Sequence, residues 1–353
     1  MTRFTLTLLA LTLSTLISFG QSAVLYGKVE NWPTDTLHFT TLPFHSPYSA
    51  QSGFVLLDKA GGYILKFPEI KAPFVFSVTA EKKFINQSQR LFLFDNLTDQ
   101  YYYGQCVKLY TYTVSTLYLE PGDSLRVDLR KQKRYGHTEL DFYGNSKASQ
   151  EYFQTLFDLD SEFGDLIQDE AFSNASKLIS EATQKKLKQL EEKKENLSPF
   201  VYDYAKAEIR YSGKVELLKS LRTKSDRVLD YLFKKKMPAS IRRTLEIPKN
   251  KLAYATLTSE QFNEYLELYL HYKLSVKRHK FVRHQALNTE KFDFALRTLP
   301  KSTLYHYLAN RLLEADKSAE INALYHKLLK KYPAGELNNQ LVEKFGSMAQ
   351  SNH

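Results

Sequence analysis

The sequence predicts an α+β protein in two parts: an N-terminal antiparallel β-sandwich or open barrel, then an all-α domain of stacked antiparallel helices. Three observations carry this. Between Gln21 and Tyr143, short runs rich in β-branched and aromatic residues recur between turn formers. After Gly144 the apolar residues switch to three- and four-residue steps. At 353 residues the chain also exceeds what one core usually organises. The expected parts are 1–20, an export signal; 21–143, the β domain; 144–346, the helical domain; and 347–353, a disordered tail.

The first twenty residues set the compartment. Arg3 supplies a positive start, Leu6 to Ile17 forms an apolar core, and Ser18 and Gly20 are small enough for a cleavage site. That core is shorter than the about 20 residues a membrane span needs. The expectation is an exported protein, periplasmic or associated with the cell envelope, with no transmembrane segment. No Cys lies near the cut, so a lipid-anchored form is not expected. The one cysteine, Cys106, excludes an internal disulfide and redox cycling between two thiols. It is read as a small buried apolar residue, with a reactive thiol as the alternative.

In the β region the strand signals are AVLYGKV, TLHFTT, GFVLL, GYILKF, FVFSVT, RLFLF and VKLYTYTV, with turns at Asn31 to Asp35 and Asp58 to Gly62. Their close spacing leaves no room for crossover helices, so antiparallel pairing and seven or more strands are expected. Tyr101, Tyr102 and Tyr103 invite comparison with a stacking platform for a sugar. Three consecutive residues cannot share one face of a strand, and a mix of core and edge tyrosines is the preferred reading.

The pivot of the chain is Thr116 to Asn145. A strand ends at Leu119, Pro121 and Gly122 form a turn, and Leu125, Val127 and Leu129 then alternate with Ser124, Arg126 and Asp128. This reads as a hairpin with one buried face. A last strand, Glu139 to Phe142, leads to Gly144.

Within this stretch, LYLEPGDSLRVDL (117–129) followed by DFYGNSKASQEYF (141–153) resembles the N-terminal, non-catalytic region of envelope TlpA-like thioredoxin-family proteins. The resemblance implies a small β domain closed by a Pro-Gly-Asp-Ser hairpin, a helical region, and a C-terminal thioredoxin domain with a Cys-x-x-Cys pair. No such pair occurs in the sequence. The redox domain is therefore expected to be absent, and no catalytic residue carries over.

The helical half opens with Asn145 or Ser146 as a cap and Tyr152, Leu156, Leu159, Phe163 and Ile167 as an apolar stripe. Asp158, Glu162, Asp165 and Asp169 recur beside it, and are read as a solvated face in preference to a cation or acid/base site. Asn174 to Asn196 is expected to be an exposed or long connecting helix. Ser198 and Pro199 start another helix that buries Phe200, Tyr204, Ala207 and Tyr211. Thr258 and Gln261 fit a capping box, with Leu257 and Phe262 as its hydrophobic staple. Amphipathic segments come next at Thr303 to Glu314 and Ala319 to Tyr332, then Pro333, then a closing helix around Leu337, Leu341 and Phe345. No clean repeat period emerges.

The formal net charge of +10 is concentrated in the helical half. Lys234, Lys235, Lys236, Arg242 and Arg243, with Lys277 and Arg278 in a second basic run, form the candidate patch for an anion or partner. A merely solvated basic surface is the competing reading. For an exported chain the partner would be an envelope protein or an anionic envelope component, not nucleic acid. His271, His279 and His284 lack zinc-ligand spacing, so neither metal nor any other cofactor is expected. There is no nucleophile elbow, no metalloprotease motif and no nucleotide loop. The functional expectation is a non-catalytic binding or interaction protein. Its alternatives are an envelope hydrolase whose site is not linear, and a docking subunit for a separate thioredoxin-like reductase.

Overall fold

The computed structural model describes residues 21–43, 51–70, 72–79, 114–131, 138–168, 170, 172–223, 245–247, 250, 252–279 and 287–346. It bears out the two-part α+β architecture, with two β-sheets first and a helical region after them. The chain falls into two compact units. The leader at 1–20, the run RLFLF, Tyr101 to Tyr103, Cys106 and the tail at 347–353 lie outside the described residues.

In the β unit one sheet has the order β4-β1-β7-β8, built from β1 (Gln21–Glu30), β4 (Gly62–Ile70), β7 (Ser124–Lys131) and β8 (Thr138–Tyr143). The other has the order β3-β2-β5-β6, from β2 (Thr36–Pro43), β3 (Gln51–Leu56), β5 (Phe74–Thr79) and β6 (Val114–Leu119). Both sheets feed one core: Leu25, Leu65, Leu125, Val127 and Leu129 from the first, Leu37, Phe76, Val78, Leu117 and Leu119 from the second. The two-residue alternation in β7 is therefore as the sequence predicts.

Two expectations are corrected. The Pro121-Gly122 turn does not close a hairpin, because β6 pairs with β5 while β7 pairs with β1 and β8. The turn itself is tight: Gly122 has φ +87°, the Asp123 amide donates to Glu120 O at 3.1 Å, and the Glu120 amide donates to Asp123 Oδ2 at 2.8 Å. Turns of the ordinary hand splay the strands they join, and here the strands part into different sheets. Secondly, β1 and β7 pair parallel, Val24 to Glu30 against Ser124 to Arg130. Short spacing constrains only strands that are neighbours in sequence, and these two are not.

The parallel ladder is interrupted at Gly27 and Lys28, and two backbone groups there find side-chain partners. Tyr63 Oη donates to Val127 O at 2.7 Å, and the Lys28 amide donates to Asp128 Oδ1 at 3.0 Å. A Cβ at Gly27 would lie 1.9 Å from Val127 O, so only glycine lets the strands approach this closely. At the other sheet's edge the buried Gln150 amide serves as a substitute strand. Its Nε2 donates to Tyr118 O at 2.5 Å, and its Oε1 accepts from the Tyr118 amide at 3.5 Å.

Gln150 belongs to α1 (Lys147–Thr155), which carries the chain onward. Where one helix is expected, α1, a 3-10 turn at Leu156–Asp158 and α2 (Leu159–Ile167) succeed one another. Phe153, Leu156, Leu159, Phe163 and Ile167 keep the apolar side continuous across the breaks. The remaining helices are α3 (Phe172–Glu192), α4 (Pro199–Thr223), α5 (Tyr254–Leu257), α6 (Glu260–Arg278), α7 (Thr289–Thr298), α8 (Lys301–Glu314), α9 (Ala319–Lys331) and α10 (Asn338–Phe345).

Helix α4 is the centre of the helical unit and packs against α2, α3, α5 and α6. Helix α3 is thus more than a connector: Ala175, Ile179 and Leu190 are buried in that packing. From α6 onward each helix packs on the next. The α6 cap is one residue later than the capping-box reading places it. Ser259 Oγ accepts from the Phe262 amide at 3.0 Å, whereas Thr258 Oγ1 donates back to Tyr254 O at 3.0 Å. At the far end His279 adopts a left-handed C-cap with φ +50°.

Candidate functional site

Of the basic patch, Lys234, Lys235, Lys236, Arg242 and Arg243 lie outside the described residues. Lys277 and Arg278 sit exposed on the last turn of α6, where cations complement the helix dipole. Both are engaged: Arg278 pairs with Glu290, and Lys277 Nζ lies 5.6 Å from the centre of the Phe294 ring. The acidic stripe behaves as a solvated face. Asp158, Glu162 and Asp165 are exposed, and Glu162 pairs with Lys186; Asp169 lies outside the described residues.

The helical unit holds two charged clusters, one buried and one half-buried, that the sequence reading did not single out. In the first, Glu267 of α6 is 3% exposed and pairs with Lys291 of α7, also 3% exposed. Tyr307 Oη of α8 donates to Glu267 Oε2 at 2.6 Å, Arg311 Nε lies 3.7 Å from the same oxygen, and His271 Nε2 lies 3.3 Å from Oε1. Burial works against ionisation of this carboxyl, but Lys291, Arg311 and His271 outweigh it and hold Glu267 well below the usual carboxylate range. Arg311 is in turn 2.6 Å from Glu314. With its carboxylates paired to cations across three helices, this cluster is a structural rivet.

The second cluster is not balanced. Asp160 of α2, Glu216 of α4 and Glu264 of α6 gather around one ammonium, Lys219, with Glu208 of α4 and Glu260 of α6 beside Asp160. Lys219 Nζ lies 2.9 Å from Glu216 and 3.2 Å from Glu264. Gln261 Nε2 donates to Asp160 Oδ2 at 2.8 Å, and the Gln261 amide reaches Glu208 Oε1 at 3.4 Å. Asp160 Oδ1, Gln261 Oε1 and Glu264 Oε2 are buried without a hydrogen-bond donor. Burial first, and the neighbouring carboxylates second, push the Glu208 and Glu264 carboxyls up to about 7 and Glu260 well above its usual value. Glu208 and Glu264 therefore exchange protons near neutral pH.

The β unit presents a different arrangement on the outward face of the β4-β1-β7-β8 sheet. Ile64 stands opposite Tyr26, Tyr26 opposite Arg126, and Arg126 opposite Tyr143. One side chain from each strand thus forms a continuous row across the sheet. Ile64 is 60% exposed, Tyr26 38% and Tyr143 43%, so none contributes to the core. The Arg126 guanidinium lies 4.6 Å from the centre of the Tyr143 ring and bonds Asp128 with two nitrogens, at 3.2 and 2.8 Å. Asp128 is the same carboxylate that holds the Lys28 amide, so the break in the ladder at Gly27 fixes the guanidinium in place.

Among the described residues no group of His, Cys, Asp and Glu side chains has the geometry to hold a metal ion, and no helix is long and apolar enough to cross a membrane. No protein-family model matches this chain, and no curated protein matches it.

Proposed function

We propose that this is an exported, non-catalytic binding protein of the cell envelope that holds its ligand on the row Ile64, Tyr26, Arg126 and Tyr143. The observation that carries the reading is the row itself. Four large, partly apolar side chains lie side by side on a face the core does not use, bordered by Val24 and otherwise by polar residues. Contiguous exposed patches of this kind mark binding surfaces. The resemblance of 117–129 and 141–153 to the accessory region of TlpA-like thioredoxin-family proteins supports a role in presenting or docking a molecule, with thiol chemistry left to another protein. The leader-like start at Met1 to Gly20 supports export.

The test is cosedimentation of purified protein with an envelope fraction. Wild type is expected to pellet with it, and the double variant Tyr26→Ala/Tyr143→Ala to stay in solution. Equal pelleting of both would overturn the reading. A second reading, an envelope hydrolase, is favoured by the proton-exchanging carboxyls Glu208 and Glu264. Turnover of model esters, peptides or glycosides that disappears in Glu208→Gln and Glu264→Gln would establish it.

A further inference from the structure

The residues around the row narrow what it holds. Among the described side chains, the outward-facing charges on this sheet are Lys28, Lys66, Arg126 and Arg130 against Glu30, Asp128, Glu139 and Asp141, an even balance. They also pair locally: Arg130 lies 2.8 Å from Glu30, 3.6 Å from Glu139 and 3.8 Å from Asp141, and Arg126 is held by Asp128. A face of this kind generates no net field to draw in a polyanion or a polycation.

The row is one side chain wide. On one side of it stand Val24, Lys66 and Ser124, and on the other Lys28, Asp128 and Asp141. So narrow a strip falls short of the apolar centre of a stable protein interface, which buries about 800 Å² on each partner. It is long, however. Tyr26 and Tyr143 are separated by two strand spacings, about 10 Å, the reach of a disaccharide unit.

We infer that the outward face of this sheet binds a neutral polysaccharide, laid across the strands from Ile64 toward Tyr143. The inference rests on the binding reading above and names its ligand class. Sugar rings present C–H faces that pack against aromatic rings, while their hydroxyls project to the sides. Here the sides offer donors at Lys28, Lys66 and Ser124 and acceptors at Asp128 and Asp141. The guanidinium between the tyrosines is paired with Asp128 and lies over the Tyr143 ring, so it adds little free charge to the row.

Native affinity electrophoresis tests this, with xylan, mannan, laminarin and hydroxyethylcellulose as neutral probes and pectate as the polyanionic control. At least one neutral polysaccharide is expected to retard the wild-type protein, with no effect of added salt. Tyr26→Ala/Tyr143→Ala should weaken that retardation roughly tenfold or more, and Tyr26→Phe/Tyr143→Phe should retain it. Retardation by none of the neutral probes, retardation the alanine variant keeps, or retardation by pectate alone would overturn the inference. If the neutral gels show nothing while envelope cosedimentation still depends on the two tyrosines, the ligand class is wrong and the binding face stands. If cosedimentation is also indifferent to them, both fail.

Discussion

The Arg126 guanidinium lies 4.6 Å from the centre of the Tyr143 ring, one strand away, while Asp128 holds it through Nε and Nη2. This exposed pair is expected to contribute about 0.5–1 kcal/mol of coupling. A double-mutant cycle with Arg126→Ala and Tyr143→Ala in urea measures it. Zero coupling would mean that the guanidinium is not held over the ring in solution.

Gly27→Ala should damage the β unit far more than the exposed position of its neighbours indicates. The added Cβ meets the Val127 carbonyl, backbone that cannot swing aside, and the expected loss is about 2–4 kcal/mol. The chain's one tryptophan, Trp32, donates its indole N–H to Thr36 O at the entry to β2. Its fluorescence therefore reports unfolding of this unit alone, and an unchanged urea midpoint would contradict the close approach.

Glu267→Gln removes the carboxylate that balances Lys291 and Arg311 in the interior of the helical unit. Breaking a buried pair from one side typically costs about 3–5 kcal/mol. Urea unfolding followed by far-ultraviolet circular dichroism should show the helical transition shifted by that amount. A change under about 1 kcal/mol would imply that water reaches the cluster.

The two clusters respond to pH in opposite senses. Glu208 and Glu264 have folded values raised to about 7, so the folded state holds protons the unfolded chain releases. Their contribution is complete below the ordinary carboxylate value near 4.5 and is lost as pH rises through about 7. Glu267 is depressed, so its contribution is present above that ordinary value and is lost as acid protonates it. Stability of the helical unit should peak in mildly acid solution and decline toward pH 8, with Tm falling by roughly 5 °C or more. Glu208→Gln should flatten the alkaline decline. Equal slopes in wild type and variant would show that Glu208 does not titrate there.

Features legible in the sequence are those whose signal is local. Alternation in Leu125, Val127 and Leu129 and the helical stripe through Phe163 and Ile167 depend on neighbours along the chain, and both are buried as expected. The destination of β7 depends on the path of the chain beyond a turn whose hand splays the strands, and no local pattern states that path. The α6 cap moved from Thr258 to Ser259 because two adjacent hydroxyls both fit, and Thr258 is taken up by the Tyr254 carbonyl at the end of α5. Asp160, Glu208 and Glu264 come from three separate helices, and their meeting has no linear trace. Tyr26, Arg126 and Tyr143 become a row only through cross-strand register, including a parallel pair that spacing along the chain cannot anticipate.

Hydroxyl-radical footprinting with and without envelope extract decides most directly whether this sheet face holds the ligand. Oxidation of Tyr26 and Tyr143 is expected to fall on adding the extract, with helical tyrosines such as Tyr254 unchanged. Unaltered oxidation of both, with protection appearing instead beside Glu208 and Glu264, would contradict the account and direct attention to the helical carboxyls.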